Sequence, residues 1–116
     1  MARIIEIRSY NLKPGTLPEF HRIATDVVRP MLVAHGMDVV AAKPSLVEEN
    51  SYFLIRAYAD AADREASQGT FYGGAAWKEG PRASILACID SYATIVIEAD
   101  EVTIDGLRDQ PAKHKP

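Results

Sequence analysis

Arg3-Ile4-Ile5-Glu6-Ile7-Arg8-Ser9-Tyr10-Asn11-Leu12, then Lys13-Pro14-Gly15, then Thr16-Leu17-Pro18-Glu19-Phe20: this opening stretch decides the fold. Arg3 to Leu12 reads as a strand, because alternate side chains of an extended chain point to opposite faces and β-branched Ile4, Ile5 and Ile7 favour that backbone. Lys13-Pro14-Gly15 breaks it. Thr16 to Glu19 has the form of a capping box, with the Thr16 hydroxyl accepting from the Glu19 amide and the Glu19 carboxylate from the Thr16 amide. Phe20, Ile23, Val27, Met31 and Leu32 then recur at helical spacing, and His35-Gly36 ends the stripe. Pro30 predicts a kink, since it lacks an amide and crowds the carbonyl of Asp26.

Working outward, Met37 to Pro44 reads as a second strand. Val47-Glu48-Glu49-Asn50-Ser51 turns it into a third, Tyr52 to Tyr58, as an antiparallel hairpin. Asp60 is placed to cap a helix from Ala61 to about Gln68, with Asp63 in its first turn. Gly69, Gly73 and Gly74 interrupt the chain beyond this helix, a short helical piece spans Ala75 to Lys78, and Pro81 opens another helix toward Cys88. Asp90 to Glu98 alternates again as a fourth strand. The order is β-α-β-β-α-β, which predicts an α+β, ferredoxin-like fold with a four-stranded antiparallel sheet and helices on one face. Residues 1–98 form this domain, and 99–116 read as a polar C-terminal tail that packs on a neighbouring subunit or stays mobile.

Tyr10, Tyr52, Tyr58 and Tyr92 share one strand phase with Glu6, Arg8 and Arg56. Ile5, Ile7, Phe53, Ile55, Ala57, Ala93, Ile95 and Ile97 share the other, which is the natural one to lie under helices. Leaving four tyrosine rings in water would forgo roughly 1.5 kcal/mol or more of burial each. The tyrosine phase is therefore expected to meet a second copy across a two-fold axis, its charges cross-paired because an unpaired charge between sheets is costly.

The chain of 116 residues is long enough for one core and too short for two. A net charge of -3 with both signs mixed along the chain gives no cationic stripe for nucleic acid or anionic lipid. Charge arrives within the first few residues, with no apolar run long enough for a secretion signal or membrane span, so the protein reads as cytoplasmic. The lone Cys88, inside Ile85-Leu86-Ala87-Cys88-Ile89, reads as core packing and not as a nucleophile. His21, His35 and His114 have no metal-ligand spacing; no metal or cofactor is expected, although haem would need only one axial histidine. Gly73-Gly74 lacks the Gly-Lys-Ser pattern of a phosphate loop.

The run from Ile5 to Phe20, strand, Lys-Pro-Gly turn and helix in order, resembles the opening of NIPSNAP-family proteins. Phe71-Tyr72-Gly73-Gly74-Ala75-Ala76-Trp77-Lys78-Glu79-Gly80-Pro81-Arg82, followed by Ser91-Tyr92, is similar to a stretch near the end of many bacterial members. The likeness frames Ile4 to Glu98. It implies a dimeric α+β barrel, the same sheet-to-sheet pairing that the tyrosine phase suggests, and it supplies no catalytic set to carry over. Relatives in the wider superfamily include cofactor-independent monooxygenases acting on aromatic substrates, lactone isomerases and haem-binding enzymes.

A monooxygenase of that kind needs an apolar pocket and a polar anchor for a phenolate, and can use a base to form it. Tyr72, Trp77, Arg8, Arg56 and His35 could supply these, and each also has a plain structural use. The arginines can pair with Glu6, Asp90 or a symmetry-related acid; Trp77 can anchor its glycine-rich segment; His35 suits the last turn of a helix. Tyr72, before Gly73-Gly74, sits where a loop could act as a lid. The expectation is a homodimer with a small pocket between sheet and helices, Tyr72, Trp77 and His35 its candidates. It would bind a small hydrophobic or aromatic molecule, as a binding protein or a cofactor-independent enzyme of monooxygenase or isomerase type. The alternative is a non-enzymatic protein whose role is assembly or protein interaction, favoured if the gap is filled and Arg8 and Arg56 are fully paired.

Overall fold

The alternating segments pair as the pattern requires. In the computed structural model, which describes residues 2–110, β1 (Arg3–Leu12), β2 (Asp38–Pro44), β3 (Ser51–Tyr58) and β4 (Ile89–Ala99) form one sheet in the order β2-β3-β1-β4, with every neighbouring pair antiparallel. With its helical crossovers this is the ferredoxin-like α+β plan. The register sets Glu6 opposite Arg56 and Tyr10 between Tyr52 and Tyr92.

The first crossover runs through α1 (Leu17–Ile23), a π-helical turn (Ala24–Val28) and α2 (Arg29–Ala34). Pro30 accounts for the π turn. Without its amide the Asp26 carbonyl has no i+4 donor, and the wider register, seen where the Arg29 amide bonds the Ala24 carbonyl, absorbs the mismatch. Gly36 ends α2 at φ 89°, a left-handed conformation that lets the Met37 amide close back on the Leu32 carbonyl at 3.0 Å. The expected capping box does not form. The Thr16 hydroxyl donates to the carbonyls of Lys13 at 2.7 Å and Cys88 at 3.1 Å, pinning the turn to the start of β4, while Glu19 pairs with Arg22 at 2.7 Å.

The second crossover comprises α3 (Ala61–Gly73), α4 (Ala75–Glu79) and α5 (Arg82–Leu86). Asp60 caps α3 by accepting from the Asp63 amide at 2.8 Å, and Asp63 accepts from the Ala59 amide at 2.9 Å, so both ends of the cap are satisfied. Gly69 does not stop this helix. It continues to Gly73 because Phe71 is buried against the sheet and carries the last turns with it.

The phase assignment is inverted. Helices α1 to α5 cover the tyrosine phase, where Tyr10, Tyr52, Tyr58, Leu12 and Leu54 pack with Phe20, Ile23, Leu32, Phe71, Trp77 and Ile85. Glu6 and Arg56 are wholly buried there, 0% exposed, and Tyr52 and Tyr58 nearly so. The residues expected at a dimer seam, Glu6, Arg8, Tyr10, Tyr52, Arg56, Tyr58 and Tyr92, thus sit under the chain's own helices, except Tyr92, which is exposed near the edge. Physically, each tyrosine buries its ring while its hydroxyl keeps a polar partner: Tyr52 bonds His21 Nδ1 at 2.7 Å, and Tyr58 accepts from Gln68 at 3.0 Å.

The opposite face is partly roofed by α6 (Glu101–Leu107), a helix lying where the sequence suggested only a polar tail. Asp100 caps it through the Thr103 amide at 2.8 Å, and its Ile104, 0% exposed, packs with Ile5, Val40, Ile55 and Ala57. Arg108 then forks onto Asp38 at 2.8 and 3.0 Å. Asp109 does more: its carboxylate accepts from Nη2 and Nη1 of Arg29 at 2.8 and 2.9 Å and from the Ala42 amide at 3.0 Å, while its own amide bonds the Val40 carbonyl. Beyond α6 the apolar face stays open at Ile95 and Ile97 of β4, which are 58% and 43% exposed, beside half-buried Ile7 and Phe53. The rest of the expected tail, residues 111–116 with His114, lies outside the described residues. Among the described residues no helix is long and apolar enough to cross a membrane.

Candidate functional site

Because the helical layer sits on the tyrosine phase, the space between them carries the chain's polar and aromatic side chains. A cavity of about 430 Å³ lies there, within the usual range for small-molecule sites. Its apolar wall comes from both layers: Phe20 of α1, Leu32 of α2, Leu54 of β3, Trp77 of α4 and Ile85 of α5. Ala24 and Val28 of the π turn also face it, so the widened helical register presents small side chains there. Arg82, Leu86 and Tyr92 line the cavity yet are exposed, which places its mouth between α5 and β4.

The polar wall is built on a single carboxylate. Glu6 Oε1 accepts from Nε and Nη2 of Arg56 at 2.9 and 2.6 Å. Its Oε2 accepts from Nε and Nη2 of Arg64 at 3.0 and 2.7 Å, from Gln68 at 2.7 Å and from Arg8 at 3.3 Å. Burial pushes the Glu6 carboxyl up, but the charge of Arg56, the bonds from Gln68 and Arg64 and the charge of Arg8 outweigh it, and its pKa falls to about 2. Burial likewise opposes the charge of Arg56, and Tyr72, Tyr58 and Glu6 together hold its pKa above the ordinary guanidinium value. Arg56 Nη1 donates to the Tyr72 hydroxyl at 2.7 Å, so the network reaches the cavity wall through α3.

Arg8 is the arginine of this group that lines the cavity. Its Nε donates to Thr94 at 3.2 Å and its guanidinium lies 4.8 Å above the Tyr92 ring, with the side chain only 13% exposed. Burial raises the pKa of Tyr10, beside it, more than the charge of Arg8 lowers it. No carboxylate, histidine, cysteine or lysine lines the cavity among the described residues, and Arg29, which does, is held by Asp109.

Two of the three pocket candidates are where the sequence suggested. Tyr72 and Trp77 line the cavity, their rings 5.0 Å apart and edge to face. His35 does not: it is exposed, with its ring edge-on to Phe71, because Gly36 turns the chain away just after it. Sequence reasoning missed Arg64 and Gln68. The signal was present, since Arg64, Gln68 and Tyr72 stand at intervals of four and so share one face of α3. Cys88 is buried and donates to the Ser84 carbonyl, its thiol pushed up by burial.

The NIPSNAP family model matches residues 5–95. No curated protein matches the chain. Among solved structures, a NIPSNAP family protein of Agrobacterium tumefaciens superposes with a TM-score of 0.79 at 14% identity, over 88% of this chain and 90% of its own. A second protein of that organism, a NIPSNAP family protein with unknown function, gives 0.77 at 20% identity, over 94% and 92%. A candidate antibiotic biosynthesis monooxygenase from Caulobacter crescentus gives 0.65 at 18%, over 86% and 92%. At these identities the likeness is one of fold.

Proposed function

This chain belongs to the NIPSNAP family, and from that premise we propose that it is a homodimer whose subunits each bind a small hydrophobic or aromatic molecule between sheet and helices. The observation that carries the reading is the cavity of about 430 Å³ with Tyr72, Trp77 and a partly engaged Arg8 on its wall. A protein needing only to assemble would gain from filling that space, because an apolar void forfeits packing energy on every side chain around it. Binding is a better match than acid-base catalysis. Among the described residues the cavity wall offers guanidinium and phenol donors but no carboxylate, histidine or lysine to act as a base.

Dimerisation is supported by the open sheet face and not by the tyrosines. Ile95 and Ile97, exposed, and Ile7 and Phe53, half-buried beside them, form an apolar strip that α6 covers only in part. Two such strips facing each other across a two-fold axis would bury it on both copies. Native mass spectrometry of protein purified from cell extract tests both halves. A dimeric mass carrying a retained small molecule is the expected result. A monomeric mass rejects the dimer, and a ligand-free protein that also fails to bind aromatic probes rejects the binding reading. Replacing Ile95 and Ile97 together by Glu should yield a folded monomer.

A further inference from the structure

Counting charges on the polar wall narrows the ligand. Three guanidinium groups, Arg8, Arg56 and Arg64, converge on the single carboxylate of Glu6. Arg56 is wholly enclosed and takes both of its Glu6 bonds on one oxygen. Arg64 is 29% exposed at the side chain, so water shares its charge. Arg8 is neither well paired nor well solvated. Its contact with Glu6 is the longest of the set at 3.3 Å, made to an oxygen that already accepts three shorter bonds, and its other polar neighbours are neutral hydroxyls, those of Thr94 and Tyr10.

Arg8 stands on the cavity wall without a carboxylate of its own. Tyr72 stands on the same wall. Its oxygen accepts from Arg56, so its own proton is left to donate. Arg82 adds an exposed cation at the mouth with no ion pair among the described residues. The polar end therefore presents donors and positive charge, while Phe20, Leu32, Leu54, Trp77 and Ile85 make the rest apolar.

We infer that the ligand is an apolar or aromatic carboxylic acid, its carboxylate held by Arg8 with the Tyr72 hydroxyl beside it and its hydrocarbon body against Trp77 and Phe20. This rests on the reading of the cavity as a ligand site. A guanidinium edge matches a carboxylate in two parallel hydrogen bonds, and the ligand's negative charge offsets the excess that Glu6 leaves unpaired. An amine would meet like charge, and a neutral alcohol would leave that excess standing.

Isothermal titration of the full chain with 2-naphthoate, 2-naphthalenemethanol and 2-naphthylmethylamine tests it. The acid should bind at least about tenfold tighter than the alcohol, as a charge-assisted hydrogen bond in a partly buried site provides, with the amine weakest. Arg8→Gln should bring acid and alcohol to within about twofold, and Arg8→Lys should keep a reduced preference, having the charge without the fork. Arg22→Gln, in a surface pair with Glu19 away from the cavity, should leave the preference unchanged. Acid and alcohol binding equally to the native protein overturns the carboxylate and spares the cavity reading; neither binding overturns both. An undiminished preference in Arg8→Lys, and in Arg8→Gln if that variant folds by its thermal melt, removes Arg8 from the role.

Discussion

Replacing Glu6 by Gln keeps the shape of the side chain and deletes the one negative charge that Arg56, Arg64 and Arg8 share. Arg56 is 0% exposed and cannot reach water. Stranding a buried partner in this way costs about 3–5 kcal/mol, a large part of the stability of a domain this size. The pH dependence gives an independent measure. A carboxyl held at about 2 in the folded chain against an ordinary 4.5 contributes roughly 3 kcal/mol at neutral pH. Because the folded value is depressed, that contribution is fully present above about 4.5 and drains away as the pH falls toward about 2. Urea denaturation followed by the fluorescence of the single tryptophan, Trp77, reports both. The expected result is a gap of about 3–5 kcal/mol between native protein and Glu6→Gln at pH 7, closing by roughly 3 kcal/mol as the pH is lowered toward 2. A gap below about 1 kcal/mol at pH 7, or one that does not change with pH, would refute the view that this carboxylate holds the arginines together.

Three further outcomes rest on the packing. Ile104→Ala should cost about 2–4 kcal/mol in the same assay, because α6 has only this side chain fully buried against the sheet; a loss under about 1 kcal/mol would mean α6 is not part of the cooperative unit. Gly36→Ala should destabilise by about 1 kcal/mol through its left-handed backbone at φ 89°, although the space around it is open, and Gly36→Asn should cost less. Cys88 should resist iodoacetamide in the native state at pH 8 and react fully in urea, since it is 4% exposed and burial raises its pKa; rapid native labelling would contradict its burial.

The strands were legible nearly to the residue, because alternation and β-branching are local. What alternation could not give was which phase faces the helices. Both phases of β1 and β3 carry large side chains. Glu6 and Arg56 look like a solvated pair until the register sets them directly opposite, where each neutralises the other. Leu12 and Leu54 share the tyrosine phase and argue for burial, but two leucines are easily outweighed by a run of isoleucines on the other side. Helix α6 escaped notice for a similar reason: one isoleucine in a polar heptamer is no periodic stripe, and its hold on the sheet depends on Arg108 and Asp109 finding Asp38 and Arg29 at long range. At the site, Tyr72 and Trp77 were readable from their glycine-rich setting, whereas the demand that Arg8 places on the cavity emerges only when every bond to Glu6 is counted.

Asp109 has a consequence for how copies of this chain can join edge to edge. A sheet has two margins, and an unguarded margin is a template for another strand. At β2 the margin is stopped in its middle, where Asp109 occupies the Ala42 amide and the Val40 carbonyl. At β4, exposed along nearly its whole length, no such plug is present among the described residues. A molecule with one sticky margin and one blocked margin can pair with itself once, margin to like margin, and the product has nothing left to extend. Any edge association through β4 would therefore end at two copies, and removing the Asp109 carboxylate would free the Ala42 amide while the Asp109 backbone amide still held the Val40 carbonyl.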